Sequence, residues 1–224
     1  MKVEIWSDIV CPWCYIGEAR FEAALARFAH RNRVEVRWRS FQLDLAAPPV
    51  SHQSVVEMLS RKYGISPSEA AKKEEQITDL ATREGLVINA GRVLANTRDA
   101  HRLLHLAADR GCQDTFAKRL FAAHFAEKLA VSDHGALAQL AAASGIDPDE
   151  ARRVLESDAY TTEVVADMAE AHAFGAGGVP FFVIDSQYII SGAQSTEVFL
   201  QTLERAWAEQ APNSGDADPN TVHD

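Results

Sequence analysis

Cysteine is scarce in this chain of 224 residues: there are three, Cys11, Cys14 and Cys112. So few thiols exclude the disulfide framework that holds small extracellular domains together. They also leave a four-ligand zinc site unfilled, so no metal is expected. Positive charge is in deficit. Lys plus Arg number 22 against 32 Asp plus Glu, a net charge of −10. That excludes nucleic acid or an anionic membrane as the main partner, because both demand a basic surface. Long apolar runs are missing too. The stretch Ala173 to Ile184 is broken by glycines and Pro180 and is too short to span a bilayer. The first ten residues carry Glu4 and Asp8 with no apolar run after them, so no secretory leader is expected. The expected location is cytoplasmic, where thiols are held reduced. No repeat of fixed period is visible.

What is present is a pair of cysteines two residues apart, Cys11-Pro12-Trp13-Cys14. Before it, Val3 and Ile5 alternate with Lys2 and Glu4, the period of a strand. After it, Phe21, Ala24, Leu25 and Phe28 recur at i, i+3, i+4 and i+7, the period of a helix. The cysteines therefore stand where a strand hands over to a helix, with Cys11 at the helix N-terminus. Free backbone N–H groups and the positive end of the helix dipole favour a thiolate there, and a thiolate is the species that exchanges disulfides. A Cys11–Cys14 bond would close a ring within one helical turn and restrain little of the fold. Its use is redox chemistry rather than stapling.

Along the chain, the pattern predicts a strand over 2–7, a helix over about 14–30 and a period-two strand around Val34, Val36 and Trp38. The centre is helical. Segments 54–63 and 66–84 are expected helices; the first closes at Gly64, and the second opens on Ser66 with Pro67 at its first position and Glu69 three residues on. Further helices are expected over 96–109 and 114–128, from a Ser132 cap to Gly145, from Asp147, and over 159–174. The pattern then reverts. A glycine-rich loop, 175–180, precedes short strands at 181–184 and 187–191 and a final helix from Ser195 to about Glu209. The economical reading is an α/β chain whose sheet-forming halves, 1–50 and 175–210, flank a helical insertion, 51–174. The tail 211–224, rich in Pro, Asn, Gly, Ser and Asp, is expected to be disordered.

Strand–helix–strand, a helical insert, then strand–strand–helix, with C-x-x-C after the first strand, resembles the thioredoxin fold and its DsbA-type branch. More narrowly, the chain resembles FrnE-like members of the DsbA family of thiol–disulfide oxidoreductases. The residues that carry this are Trp6-Ser7-Asp8-Ile9-Val10-Cys11-Pro12-Trp13-Cys14-Tyr15-Ile16-Gly17, Phe41-Gln42-Leu43, Ala95-Asn96-Thr97, Gly178-Val179-Pro180-Phe181-Phe182-Val183-Ile184 and Ser191-Gly192-Ala193-Gln194. The resemblance implies Cys11 as nucleophile, Cys14 as resolving thiol and a cis Val179–Pro180 bond facing them. A substrate backbone would pair at Val179, beside Pro12 and Trp13. Protein or small-molecule disulfides and thiols are the implied substrates, with no bound cofactor. Trp13 departs from the C-P-H-C of periplasmic DsbA and brings no positive charge, which implies a less oxidising pair. The same branch includes glutathione-dependent 2-hydroxychromene-2-carboxylate isomerases and kappa-class transferases, the alternative function. Gln194 and Ser195 fall where those relatives contact glutathione, so glutathione is a candidate co-substrate. A homodimer is compatible with the sequence.

Simpler readings apply elsewhere. Cys112 reads as a bystander thiol. His101 and His105, at i and i+4, lack the glutamate of a zinc helix and read as packing or surface. Asp8 reads as a cap of the first helix ahead of a role in proton traffic. Lys72-Lys73-Glu74-Glu75 reads as a solvated helix face. Trp38, Phe41 and the phenylalanines from Phe116 to Phe125 read as core.

Overall fold

A computed structural model describes residues 1–51 and 53–210; the tail 211–224 lies outside the described residues. In chain order the elements are β1 (Lys2–Ser7), α1 (Pro12–Arg27), β2 (Glu35–Ser40), β3 (Val50–Ser51), α2 (Val55–Tyr63), α3 (Pro67–Arg83), β4 (Leu94–Ala95), α4 (Arg98–Asp109), α5 (Gln113–Phe125), α6 (His134–Ala143), α7 (Pro148–Leu155), α8 (Thr161–Ala173), β5 (Phe181–Ile184), β6 (Tyr188–Ser191) and α9 (Thr196–Gln210). The fold class is the expected one, α/β with a large helical insertion between β2 and β5.

The sheet order is β2-β1-β5-β6. β1 pairs parallel with β2, Ile5 opposite Trp38, and antiparallel with β5, Ile5 opposite Phe182. β5 and β6 form a hairpin whose turn residues Asp185 and Ser186 both take positive φ. Side chains of a strand alternate between the two faces of its sheet, and each face here has its own cover. On one, Val3, Ile5 and Phe182 pack with Phe21 of α1 and with Phe199 and Leu203 of α9. On the other, Trp6, Phe181 and Val183 pack with Ala171 of α8 and with Phe174. The first core runs on without a break into the insert. Tyr15 of α1 stacks on Phe121 and Phe125 of α5, with ring centroids 5.4 and 5.0 Å away.

A polar network pins α8 to the sheet. Asp167 accepts from Arg39 at 2.9 Å and from the Ser40 N–H at 2.8 Å, and lies 3.1 Å from His105, while its own carbonyl accepts from the Trp6 indole at 2.7 Å. Arg39 also binds Glu4. Burial pushes the Asp167 carboxyl up, but its bonds to His105 and Ser40 and the nearby Arg39 charge outweigh that and hold it below the usual carboxylate range. His105 is thus a partnered core residue, not a surface one.

Several elements differ from the sequence reading. Helix α1 spans Pro12–Arg27 rather than 14–30, because proline's fixed φ suits the first helical position and Cys11 stays extended (φ −87°, ψ 112°). A two-stranded ribbon, β3 with β4, is too short to leave a period in the sequence. Helix α6 is capped by Asp133, whose carboxylate accepts from the Ala136 N–H at 2.7 Å; the Ser132 hydroxyl donates instead to the Pro49 carbonyl. The segment 72–75 is not wholly solvated, since Glu74 is buried and paired with Arg92. The capping box read at Ser66 is formed, and Ser54 forms a second one with Glu57.

The Glu74–Arg92 pair yields a stability prediction. Breaking a buried pair strands a charge, so Arg92→Met is expected to lower unfolding free energy by about 3–5 kcal/mol. Converting Glu74 to Met in the same chain should recover most of the loss. Urea midpoints of the two variants, at unchanged slope, are the measurement.

Candidate active site

Strand β1 ends at Ser7, and a turn returns the chain at once into α1: the Cys11 N–H donates to the Asp8 carbonyl at 3.0 Å. Cys11 is the N-cap position and its carbonyl accepts from the N–H groups of Cys14 at 3.0 Å and Tyr15 at 3.2 Å. Its side chain makes no capping bond, so the sulfur is free to face the other end of the chain. All three cysteines are free thiols. Cys11 is 5% exposed and Cys14 1%, so both are buried, the second more completely. Burial and the neighbouring Cys11 thiol push the Cys14 thiol well above its ordinary value; the Ser7 side chain and the Asp8 backbone N–H pull it the other way.

The β1–β5 pairing brings the loop before β5 over this turn. The Cys11 thiol donates to the Val179 carbonyl at 3.7 Å, and the Val179–Pro180 peptide bond is cis. Pro180 is buried and its carbonyl accepts from the Gly192 N–H at 2.8 Å, which ties the loop to the end of β6. Gly17, two turns into α1, lets the helix approach. A Cβ there would lie 2.9 Å from the Pro180 ring and 3.4 Å from Ala193. Arg20 completes the contact: it donates to the Ala193 carbonyl at 2.7 Å and to Glu84 at 2.6 Å.

The structure therefore brings Cys11, Cys14, Val179 and Pro180 together. Pro12 is half-buried beside them, and the Trp13 ring stands out, 46% exposed. Gln194 and Ser195 lie just past Ala193 on the same loop, but their side chains turn to local partners. The Gln194 amide donates to the Ser191 carbonyl at 2.8 Å, and the Ser195 hydroxyl accepts from the Val198 N–H at 3.4 Å. Asp8 does not cap the helix. Its carboxylate is buried and accepts from the Leu43 N–H at 2.8 Å, with the other oxygen 3.5 Å from His101. A side-chain cap has little left to satisfy, because Pro12 brings no N–H and the Cys14 N–H already donates to the Cys11 carbonyl at 3.0 Å.

One feature of the site left only a faint mark in the sequence. Residues 41–46 with Met168, His172, Gly177 and Gly178 line an open groove of about 540 Å³. It runs from the loop anchored on Asp8 to the residues just before Val179. Leu43 and Leu45 stand exposed on it. The run Phe41-Gln42-Leu43, an apolar segment outside any regular element, was the available signal.

No group of three or more ligating side chains suited to a metal occurs among the described residues, and no helix among them is long and apolar enough to cross a membrane. A family model for the DSBA-like thioredoxin domain matches residues 2–204. The protein YwbO of Bacillus subtilis, which is uncharacterized, is 29% identical over 91% of this chain and 96% of its own. The crystal structure of a probable DsbA oxidoreductase, SCO1869 of Streptomyces coelicolor, superposes with a TM-score of 0.90 at 47% identity, covering 95% of this chain and 92% of that one. At lower identity the fold alone is shared. A 2-hydroxychromene-2-carboxylate isomerase matches with a TM-score of 0.67 at 19% identity, over 93% and 95% of the two chains. The cytosolic disulfide reductase DsbM of Pseudomonas aeruginosa matches with 0.62 at 17%, over 93% and 100%, and has also been solved with GSH.

Two predictions arise from α1. Alanine in place of an interior helical glycine ordinarily stabilises by about 1 kcal/mol, yet Gly17→Ala is expected to destabilise by about 1–3 kcal/mol through overpacking on Pro180. A raised urea midpoint would show that the loop yields freely. Glu18, one turn after Cys14, is buried, which pushes its carboxyl up to about 7; Lys118 opposes this, while Glu22 and Asp114 add to it. The folded state therefore binds a proton that the unfolded state has already lost, so the contribution of Glu18 to stability is full below the unfolded value of about 4.5 and is lost as pH rises through about 7. Glu18→Gln should flatten that fall, read from urea midpoints across the interval.

Proposed function

Because the chain belongs to the DSBA-like thioredoxin domain family of disulfide oxidoreductases, we propose that Cys11 is its nucleophile, Cys14 its resolving thiol and Val179 the point where a substrate backbone pairs. The observation that carries this reading is the meeting of Cys11, at a helix N-terminus, with the Val179 carbonyl 3.7 Å away. A carbonyl already directed at the sulfur can accept an N–H from an extended peptide whose own cysteine is under attack. The helix N-terminus favours the attacking thiolate. Trp13, standing out beside the pair, offers apolar contact to that peptide, and Pro12 and Pro180 frame the approach.

Chemically, the Cys11 thiolate attacks one sulfur of a substrate disulfide. The substrate S–S bond breaks, its second sulfur leaves as a thiolate, and a mixed disulfide forms. Cys14 then attacks the Cys11 sulfur, releasing the rest of the substrate and leaving an intramolecular disulfide. Run backwards, the same steps oxidise a dithiol. Protein or small disulfides serve as substrates. Glutathione is the small-thiol co-substrate of this reading, in keeping with the GSH that DsbM has been solved with; Gln194 and Ser195, at the rim beyond Ala193, are the residues assigned to it. A cytoplasmic setting, which holds both thiols reduced between turnovers, completes the assignment.

Insulin reduction with glutathione as donor tests it. Cys11→Ser is expected to fall to the uncatalysed rate, and Cys14→Ser to accumulate a mixed disulfide on Cys11 visible by mass spectrometry. Equal rates for wild type and Cys11→Ser would sink the redox reading, and a glutathione-dependent isomerase activity surviving in Cys11→Ser would favour the alternative. Equilibration in glutathione buffers should place the pair below the about −120 mV of DsbA.

A further inference from the structure

The loop that follows β6, residues 192–195, is tied almost entirely to itself and its neighbours in sequence. The Gly192 N–H donates to the Pro180 carbonyl at 2.8 Å, and the Gln194 N–H to the Gly192 carbonyl at 2.9 Å. The Gln194 amide turns back to the Ser191 carbonyl, and Ser195 bonds into α9. Among the described residues, one hydrogen bond leads from this loop to anything other than the β5–β6 hairpin, the loop before it and α9. Arg20 of α1 donates to the Ala193 carbonyl at 2.7 Å.

Arg20 is not free to turn away. Its Nη1 holds Ala193 while its Nε donates to Glu84 at 2.6 Å. Glu84 stands at the C-terminal end of α3, in the helical insert. The Arg20 side chain is 16% exposed and that of Glu84 24%, so salt screens the pair less than it screens a surface one. A guanidinium is a planar fork that fixes the direction of both bonds at once, which an ammonium does not. Arg20 also shares a helix with the nucleophile. α1 carries Cys11 at its N-terminus and Arg20 about two and a half turns further on. The loop is thus held from the same helix that carries the sulfur. From Ala193 the restraint passes through Gly192 to Pro180, next to Val179, whose carbonyl meets the Cys11 thiol. Sheet pairing does not reach so far. The β1–β5 register ends at Trp6 opposite Phe181, before either segment arrives at the cysteines.

We propose that Arg20 is a positioning residue for substrate capture: anchored on Glu84 of the insert, it holds the 192–195 loop, and through it Val179, at the height where a substrate backbone meets the Cys11 sulfur. The inference rests on the exchange mechanism proposed above. Arg20 acts in capture and not in resolution, where Cys14 attacks a sulfur already bound.

Two disulfides that release the same coloured thiolate separate positioning from reactivity. One is a short extended peptide whose single cysteine is capped with thionitrobenzoate. The other is dithiobis(nitrobenzoate), which has no peptide backbone. With each, the Cys11 thiolate attacks one sulfur, the reagent S–S bond breaks and thionitrobenzoate leaves with the electron pair. Cys11 is oxidised to the mixed disulfide and the leaving sulfur is reduced. Initial rates are read with reduced protein in a Cys112→Ser background, so that the colour reports the Cys11–Cys14 pair alone. Arg20→Met is expected to slow release from the peptide about tenfold and from the backbone-free reagent less than about twofold, since only the peptide has an orientation to lose. Arg20→Lys keeps the charge without the fork and is expected to slow the peptide as much as Arg20→Met does. Glu84→Gln, which loosens the anchor, is expected to slow it about threefold. Peptide release unchanged in Arg20→Met, both reagents slowed alike, or the full rate kept in Arg20→Lys overturns the assignment. If Arg20→Met fails to fold by circular dichroism, Glu84→Gln decides by the same comparison, and an unchanged peptide rate there overturns it. Absence of release from both reagents by the protein with Arg20 and Glu84 intact overturns the exchange mechanism and the role of Arg20 with it.

Discussion

The pairing of β1 with β5 is the constraint on which the rest depends. Neither strand reaches the site alone. β1 delivers the Cys11–Cys14 turn and β5 begins at the Val179–Pro180 loop, and only their antiparallel register sets the Cys11 sulfur against the Val179 carbonyl. Close contact then has to be permitted from the helix side, and Gly17 permits it. Arg20 and the Gly192–Pro180 bond hold the loop from behind. The site is therefore an outcome of sheet register and helix packing, with the cysteines placed by both.

The insert is more than a cover. Its aromatic face is continuous with the core of the sheet half, through Tyr15 on Phe121 and Phe125. Its α8 closes the second face of the sheet through Asp167, held by Arg39, Ser40 and His105. Its α4 brings His101 to within 3.5 Å of Asp8, in the turn between β1 and the cysteines. One buried carboxylate, Asp8, meets two of these parts at once: it accepts from Leu43 of the groove loop and lies 3.5 Å from His101 of the insert.

Much of this was legible in the sequence because it is local. The strand-to-helix switch at Cys11, the Ser66 capping box, the glycine-terminated helices and the late return to strands all leave periods or short signatures. What was not legible depends on distant partners. Glu74 reads as one more charge in a polar run until Arg92 arrives to bury it. Asp8 and His101 are 93 residues apart and carry no shared pattern, so Asp8 reads as a cap and His101 as half of an empty helix motif. Ribbons of two residues, β3 and β4, fall below the length at which alternation means anything. The groove beside the cysteines arises from an irregular segment meeting α8, and no periodicity describes it.

The thiol of Cys11 and the carbonyl it meets are separated by 168 positions. A ribosome adds about 5–20 residues each second, so the N-terminal cysteines wait on the order of ten seconds or more before the strand that completes their surroundings is made. Until then β1 has β2 for a neighbour but lacks its other flank, and the turn after it has no opposing loop. The nascent chain thus carries two thiols without a framed site, and the reactive centre is completed only after the whole helical insert has been made.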